Sequence, residues 1–161
     1  MKKIMILGAS SLQLPAILKA KEMGLTSIVV DMNKDAVGFR YADIKLELST
    51  IDIPNVVKAA LEYKVDAVIT LATDMPVRTV AAVGEALKIP AISVDSAKKA
   101  TNKILMRDAL AKCNVPIPHY YQASSEKEFI TAVQQIRNMG HKCIIKPADS
   151  SGSRGVNLLS A

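Results

Sequence analysis

The sequence predicts an α/β protein in which a doubly wound parallel sheet is followed by a partial α+β segment. Over residues 1–94, short apolar runs alternate with helix-length segments through short connections, which is typical of parallel sheets with right-handed crossovers. Aliphatic residues must form the core, because the chain has no Trp, four Tyr and two Phe, and aliphatic strands are typical of sheets covered on both faces. After residue 94 this alternation stops, which indicates a second region.

The first region alternates strands and helices from its N-terminus onward. Pro15, Pro54 and Pro76 indicate where helices begin, because proline is tolerated in the first turn of a helix but not in its interior. The segment 44–48 (IKLEL) alternates with a period of two, which predicts a half-exposed edge strand. A polar loop is expected over 32–42. The expected strands are 3–7, 27–31, 44–48, 67–70 and 91–93, and the expected helices are 12–23, 54–63 and 76–88.

The second region opens with a long expected helix over 96–113, which leads to the proline-rich segment 115–118 (VPIP). Two prolines at that position mark a boundary. One helix and about three strands cannot bury a core by themselves. We therefore expect a domain over 1–94, a connecting helix over 95–114 and an incomplete subdomain over 115–161. The elements expected in that subdomain are a strand 119–122, a helix 126–139, a strand 143–146, a Gly/Ser loop 149–155 and a strand 156–159.

Composition and charge exclude several classes of protein. The formal net charge is +6, but the Lys and Arg residues are scattered without runs or interleaved aromatic residues, so no nucleic-acid partner is expected. No segment approaches the ~20 apolar residues of a membrane span, and the N-terminal apolar run is too short for a signal peptide. Cys113 and Cys143 form no CxxC pair, as in proteins of a reducing compartment. We therefore expect a cytoplasmic protein without a membrane partner.

The first candidate site is the turn Gly8-Ala9-Ser10-Ser11, which follows the first strand. Backbone N–H groups and a helix N-terminus at such a turn favour an anion. Asp31 ends the second strand, about where a dinucleotide-binding fold places the acid that binds ribose, although the G-x-G-x-x-G fingerprint is incomplete. Three interpretations stay open: a small anionic substrate beside Gly8 and Ser10, an NAD(P) cofactor, or a tight turn without ligand.

Asp74 is a polar residue that follows the expected strand 67–70. From this position it can cap the next helix. It can also face the same crevice as Gly8, since the first and fourth strands are neighbours in a doubly wound sheet. The two interpretations are compatible, and Asp74 is therefore a candidate substrate-binding residue.

The second candidate site lies in CIIKPADSSGSRGV, residues 143–156. Lys146 ends an apolar strand, where an ammonium group is costly unless an anion pairs with it. The glycines of the next loop allow backbone amides to approach a polyphosphate, and its serines and Arg154 supply further donors. The loop is not a Walker A motif, because no Lys-Ser/Thr follows its last glycine. A flexible hairpin turn in solvent is the alternative.

The residues that most often hold metals or act as nucleophiles form no recognisable pattern. His119 and His141 lack metal-ligand spacing and are expected at the surface. No Ser–His–Asp or Cys–His arrangement can be identified. The sequence therefore predicts no metal site and assigns no catalytic residue.

Three segments together resemble the start of the ATP-grasp domain: 97–110 (AKKATNKILMRDAL), 115–120 (VPIPHY) and 144–156 (IIKPADSSGSRGV). The region before them resembles the Rossmann-like pre-ATP-grasp domain. The match covers essentially the whole chain and looks closest to carbamoyl-phosphate synthetase large-subunit-like proteins. Phosphoribosylaminoimidazole carboxylase ATPase subunits and biotin carboxylases look like more distant relatives.

The resemblance implies roles for particular residues. In such enzymes ATP lies between two β-rich lobes and phosphorylates a carboxylate, and an amine or similar nucleophile captures the acyl phosphate. Lys103 and Lys146 match basic residues that contact the nucleotide, and Gly8, Ser10 and Asp74 fall where the preceding domain binds substrate. A mobile glycine-rich loop that closes over the phosphates is matched by Ser150, Ser151, Gly152, Ser153, Arg154 and Gly155.

In the family, the acidic Mg²⁺ ligands and the second ATP-grasp lobe lie downstream of this sequence. The resemblance therefore implies an N-terminal fragment of an ATP-dependent ligase, inactive alone, whose intact form uses ATP and Mg²⁺ on a carboxylate or bicarbonate-type substrate. The expected partner is the rest of the ATP-grasp domain or a second chain, and a homodimer stays open. The alternatives are an NAD(P)-dependent oxidoreductase domain and a non-catalytic nucleotide-binding module.

Overall fold

The computed structural model describes residues 1–150 and 152–159. The chain divides into two compact units, Met1–Lys98 and Lys99–Ala161. Helix α4 (Val94–Thr101) spans this division. No helix among the described residues is long and apolar enough to cross a membrane.

The first unit is built on a parallel sheet of four strands in the order β3-β2-β1-β4. The predicted doubly wound sheet is therefore confirmed, with a crossover that brings β4 beside β1. Its strands are β1 (Lys3–Leu7), β2 (Thr26–Asp31), β3 (Ile44–Glu47) and β4 (Ala67–Thr70). Its helices are α1 (Leu14–Glu22), α2 (Ile53–Tyr63) and α3 (Val77–Leu87), with a 3₁₀-helix at Val37–Tyr41.

Side chains alternate between the two faces of the sheet and form two apolar clusters. Met5 and Leu7 of β1 pack with residues of α2 and α3, whereas Ile6 packs with residues of α1 and the 3₁₀-helix. All three are fully buried, and each such side chain stabilises the fold by about 1.5–3 kcal/mol relative to exposure. Helices on both faces thus follow from strands that are apolar at consecutive positions.

The expected fifth strand over 91–93 is wrong, because these residues form no strand. Pro90 precedes them and has no N–H group to donate. The segment instead packs on α3, where a Cβ atom added to Gly84 would lie only 2.3 Å from the Cβ of Ala91. Residues 91–93 therefore lie against α3 and do not pair with the sheet.

The expected polar loop over 32–42 contains a buried element. The 3₁₀-helix Val37–Tyr41 buries Gly38 and Phe39. Phe39 is 3% exposed and belongs to the cluster beneath α1. Apolar residues at two or three positions give no helical period, so the sequence pattern missed this element.

The second unit contains two helices and a two-stranded antiparallel sheet. The helices are α5 (Lys103–Lys112) and α6 (Glu126–Asn138), and the strands are β5 (Cys143–Ile145) and β6 (Asn157–Leu159). The expected continuous helix over 96–113 is wrong, because it breaks at Asn102. Asn102 has extended backbone angles, and its side chain accepts hydrogen bonds from the N–H groups of Ile104 and Leu105, both at 3.0 Å, so it caps a new helix.

The expected strand over 119–122 is also wrong, because this segment is irregular. Pro116 and Pro118 precede it and cannot donate to a sheet. The hydroxyl of Tyr120 instead donates to the carboxylate of Asp108 on α5. This bond raises the pKa of Tyr120 above its ordinary value, because it stabilises the protonated phenol.

Apolar side chains of the second unit remain exposed. Among its described residues only Cys143 is buried. Ile144 and Leu158 lie opposite each other on β5 and β6 and are 59% and 62% exposed. The described residues of the second unit therefore form no core of their own, as expected for so few elements.

Candidate functional site

The turn after β1 holds its backbone tightly. Gly8 has φ = +108°, a conformation that side chains rarely adopt. The N–H groups of Gly8 and Ala9 donate to the carbonyl of Val30 at 2.7 Å and to Oδ2 of Asp31 at 2.8 Å. The N–H of Ser10 donates to Oε1 of Gln13 at 3.2 Å. Of the four amides in this turn, those of Gly8, Ala9 and Ser10 are thus engaged within the protein.

Gln13 connects this turn to the loop that follows β4. Its side chain is 4% exposed, its Oε1 accepts from the Ser10 hydroxyl at 2.6 Å, and its Nε2 donates to the Leu71 carbonyl at 2.6 Å. Gln13 was not among the candidate residues predicted from the sequence. The available signal was the spacing Ser10-x-x-Gln13, which is that of a capping box.

Asp31 supports the turn after β1 through its carboxylate. Its Oδ2 accepts from the N–H of Ala9, and its Oδ1 accepts from the N–H of Asn33 at 2.9 Å. Each carboxylate oxygen therefore accepts a hydrogen bond from a different loop, one after β1 and one after β2. This arrangement does not favour the interpretation of Asp31 as the acid that binds an NAD(P) ribose.

Gly38 is a second residue that the sequence analysis missed. Its N–H donates to the carbonyl of Ala9 at 2.7 Å. A Cβ atom at this position would lie 2.6 Å from Cδ1 of Ile17 and 2.8 Å from the Ala9 oxygen. Only glycine allows the 3₁₀-helix to approach the turn after β1 this closely, so Gly38 helps to fix the position of that turn.

Asp74 is exposed and lies after β4, at the carboxyl end of the sheet. The expected helix cap is wrong, because Pro76 is the N-cap of α3 and no side chain caps it. The expected neighbourhood of β1 and β4 is confirmed: Leu7 pairs with Thr70, whose hydroxyl donates to the Leu7 carbonyl at 3.0 Å. In doubly wound sheets ligands bind outside the carboxyl ends of such strands, where the strand order reverses.

Lys103 lies at the start of α5, against the loop that follows β5. Its N–H donates to the Ala148 carbonyl at 2.7 Å, and its Nζ donates to the Ser150 carbonyl at 2.5 Å. Asn102 caps the helix and so directs the Lys103 backbone toward this loop. The structure thus joins Lys103 and the glycine-rich segment, which are far apart in sequence.

Lys146 directly follows β5 and is exposed. The expectation that its ammonium group is costly at the end of a buried strand is wrong, since Ile144 and Ile145 are exposed as well. Lys146 therefore needs no partner for the stability of the fold. Its position beside the glycine-rich loop leaves it accessible to an anionic ligand.

Residues 152–155 of the glycine-rich loop form turns. Gly152, Ser153 and Gly155 have φ values of 65°, 57° and 73°. The Ser150 hydroxyl donates to the Arg154 carbonyl at 2.8 Å. A Cβ atom on Gly155 would lie 2.8 Å from Cγ of Pro147, so the loop folds back on the end of β5. Ser151, one of the expected contacts, lies outside the described residues.

This segment combines positive charge with backbone turns that glycine makes possible. Lys103, Lys146 and Arg154 are basic, and the positive φ values of Gly152 and Gly155 are ones that glycine adopts readily. His119 and His141 are exposed, and their rings stack with centroids 5.8 Å apart. No group of three or more metal-ligating side chains occurs among residues 1–150 and 152–159. The positive charge of Lys103, Lys146 and Arg154 suits a polyphosphate ligand.

Known proteins resemble this chain in both sequence and structure. No protein-family model matches it. It is 29% identical over 167 residues to the formate-dependent phosphoribosylglycinamide formyltransferase of Pectobacterium carotovorum subsp. carotovorum, which covers 98% of this chain and 40% of that protein. The N5-carboxyaminoimidazole synthetase of Staphylococcus aureus, in complex with ADP, matches 99% of this chain and 42% of that chain with a TM-score of 0.81 and 16% identity. The L-amino acid ligase of Bacillus licheniformis matches 100% of this chain and 39% of that chain, with a TM-score of 0.75 and 18% identity.

The described residues thus form an α/β unit with a parallel sheet, followed by a smaller unit that carries the glycine-rich segment. The resemblance to the ATP-grasp superfamily is confirmed, and this chain is a relative of the ATP-grasp ligases. The likeness to carbamoyl-phosphate synthetase is only approximate, because the relatives found include phosphoribosylglycinamide formyltransferases and N5-carboxyaminoimidazole ribonucleotide synthetases. The chain spans about 40% of the length of the curated relatives it matches.

Proposed function

We propose that this chain forms the N-terminal part of a cytoplasmic ATP-grasp ligase, which joins a carboxylate to an amine with ATP. The observation that carries this proposal is the hydrogen bond from Lys103 to the backbone of the glycine-rich loop. This hydrogen bond brings together the start of α5 and the glycine-rich loop, two segments that match the nucleotide-binding region of the superfamily. The relation to formate-dependent phosphoribosylglycinamide formyltransferases supports the same reaction class.

The residues of the second unit fit the triphosphate of ATP. Lys146 is accessible and carries a positive charge next to the loop 149–155. Each hydrogen bond from a charged group contributes about 1.5–3 kcal/mol, and the positive φ values at Gly152 and Gly155 allow the backbone to approach phosphate oxygens. Ser150, Ser153 and Arg154 would add further contacts. ATP, when bound, supplies the phosphoryl group that activates the carboxylate.

Mg²⁺ does not fit the described part of the chain, since no group of three metal-ligating side chains occurs there. Charge on a transferring phosphoryl group has to be neutralised for the reaction to proceed. We therefore propose that residues beyond this sequence, in the remaining part of the ligase or in a second chain, supply the metal ligands. The 161-residue chain alone is accordingly expected to be inactive.

The exposed face of the β5–β6 sheet supports the need for such a partner. Ile144 and Leu158 form an apolar pair on one face of this sheet. On the other face the Cys143 thiol lies 3.7 Å from the Val133 carbonyl of α6. We propose the three-part organisation of a domain over 1–94, a connecting segment over 95–114 and a subdomain over 115–161 that the rest of the ATP-grasp domain completes.

The crevice at the carboxyl ends of β1 and β4 is our candidate for the carboxylate or bicarbonate-type substrate. Gly8 and Ser10 follow β1, and Asp74 follows β4. Gln13 and Thr70 join the two strand ends by hydrogen bonds. The carboxyl ends of β1 and β4 are therefore held together by the fold before any ligand binds.

ADP formation by the natural protein at its full length tests the proposed function. We expect ADP to form only when ATP, Mg²⁺, a carboxylate and an amine acceptor are all present, and formate is the first carboxylate to try. The variant Lys146→Ala should form ADP more slowly than the control Lys34→Ala, which changes an exposed lysine of the β2–β3 connection. Hydride transfer to NAD(P), or ATP binding without any ADP formation across a panel of carboxylates, would contradict the proposal.

A further inference from the structure

Helix α5 depends on contacts with its neighbours, because it is short and has no buried side chain. It contains ten residues, none of them buried, and isolated helices shorter than about 12–15 residues are only marginally stable in water. Its first residue is Lys103, whose N–H and Nζ donate to the loop that follows β5. The position of Lys103 therefore depends on what holds α5 in place.

Tyr120 contacts α5 from outside the helix. Its hydroxyl donates to the carboxylate of Asp108, which lies about 7.5 Å further along the helix axis than Lys103. The bond raises the pKa of Tyr120 above its ordinary value, so the phenol keeps the proton that it donates at neutral pH. Helix α5 is thus held at its start by the loop after β5 and in its middle by Tyr120.

The segment that carries Tyr120 is itself restrained in two ways. The two prolines of the preceding residues 115–118 limit its backbone, because the proline ring fixes φ. The ring of His119 stacks on that of His141, with centroids 5.8 Å apart, and His141 comes just before β5. Tyr120 therefore holds α5 from a segment that also contacts the start of β5, the strand that Lys146 follows.

We propose that Tyr120 is a positioning residue for the nucleotide site: by holding α5 through Asp108, it keeps Lys103 in place against the glycine-rich loop. Its effect on a bound nucleotide passes through α5 and requires no contact between Tyr120 and ATP. This inference rests on the proposed nucleotide site and adds to it a residue outside α5 and the glycine-rich loop.

Hydrogen exchange in the natural protein at its full length tests the contact with α5. In Tyr120→Phe, which loses only the hydroxyl, the amide of Lys103 should exchange roughly two- to fivefold faster, as expected for an exposed contact with a charged group. The same substitution in an Asp108→Ala background should have no further effect, since the acceptor is already absent. Tyr121→Phe, at the exposed neighbouring tyrosine, is the matched control and should behave like the wild type.

Calorimetric titration with ATP tests the effect on the nucleotide site. Tyr120→Phe should weaken ATP binding by roughly the same factor. In a Lys103→Met background it should have no further effect, because Tyr120 acts through Lys103. A general loss of stability would instead weaken ATP binding in both backgrounds alike.

Two outcomes would overturn the inference. Equal exchange of the Lys103 amide in Tyr120→Phe and Tyr121→Phe would show that Tyr120 does not hold α5. Equal weakening of ATP binding by Tyr120→Phe in the wild-type and Lys103→Met backgrounds would show that its effect does not pass through Lys103. A wild type that binds no ATP would contradict the proposed function itself, whereas exchange of the Lys103 amide would still report on the contact between Tyr120 and α5.

Discussion

The ammonium group of Lys103 donates a hydrogen bond to the backbone carbonyl of Ser150, 47 residues further along the chain. The backbone N–H of the same residue donates to Ala148. Lys103 therefore holds the chain on both sides of Asp149, where the glycine-rich loop begins. A residue that matches a nucleotide contact thus also positions the loop within the free protein.

Loss of the Lys103 ammonium group should loosen this loop. In Lys103→Met the hydrogen bond to Ser150 is removed while the aliphatic stem is kept. A hydrogen bond from a charged donor contributes about 1.5 kcal/mol or more, so the amide of Val156, which donates to Ser153, should exchange roughly tenfold faster. Hydrogen exchange measures this rate, and Lys112→Met at the other end of α5 is the control. Equal exchange in both variants would show that Lys103 does not hold the loop.

The close contact between α3 and Ala91 predicts a cost for any side chain at position 84. Gly84→Ala places a Cβ atom 2.3 Å from that of Ala91, and overpacking of this kind costs about 1–3 kcal/mol. Alanine regains up to ~1 kcal/mol of helix propensity, so we expect a net loss of stability in urea unfolding. Ala91→Gly in the same chain should restore part of the loss. A Gly84→Ala variant as stable as the wild type would contradict the observed packing.

Asp43 predicts a pH-dependent contribution to stability. Hydrogen bonds from the N–H and the hydroxyl of Ser27, at 2.7 and 2.8 Å, hold the pKa of Asp43 below its ordinary value. Its folded pKa is thus lower than its unfolded pKa of about 3.9. The contribution is present above the unfolded pKa and is lost as the pH falls through the folded pKa.

Urea unfolding at neutral and at acidic pH measures this contribution. Asp43→Asn should be less stable than the wild type at pH ~7, and the difference should shrink below pH ~4, because only the wild type then loses its carboxylate. Asp35→Asn, at an exposed aspartate, makes the same change in formal charge and serves as the control. A difference between Asp43→Asn and the wild type that is constant with pH would exclude the proposed role of Asp43.

The sequence predicted those features that depend on local signals. Prolines in first turns placed α1, α2 and α3 to within a few residues, and continuous apolar runs placed the four strands. The break in the helix at Asn102 was missed, because Asn is compatible with both a helix interior and a cap. The contact of Gly84 with Ala91 was missed, because a tertiary approach leaves no period in the sequence.

In the candidate sites, too, local features were predicted from the sequence and long-range contacts were missed. The turn at Gly8 was correctly placed after the first strand, since a glycine that ends an apolar run is a local signal. The spacing Ser10-x-x-Gln13 indicated the bond between these two residues, whereas the bond from Gln13 to Leu71, 58 residues away, could not be deduced from the sequence. Lys103 and Ser150 were linked in the sequence only through the family resemblance, and their hydrogen bond is a finding of the structure.

ATP binding by the natural protein at its full length tests the central claim most directly. Lys146→Ala removes the proposed charged contact to the phosphates. Such a contact contributes about 1.5–3 kcal/mol, so the variant should bind ATP roughly ten- to a hundredfold more weakly in calorimetry. Lys34→Ala removes only diffuse charge from an exposed loop and should bind ATP as the wild type does. Equal ATP affinities in the two variants would contradict the assignment of this segment as the nucleotide site.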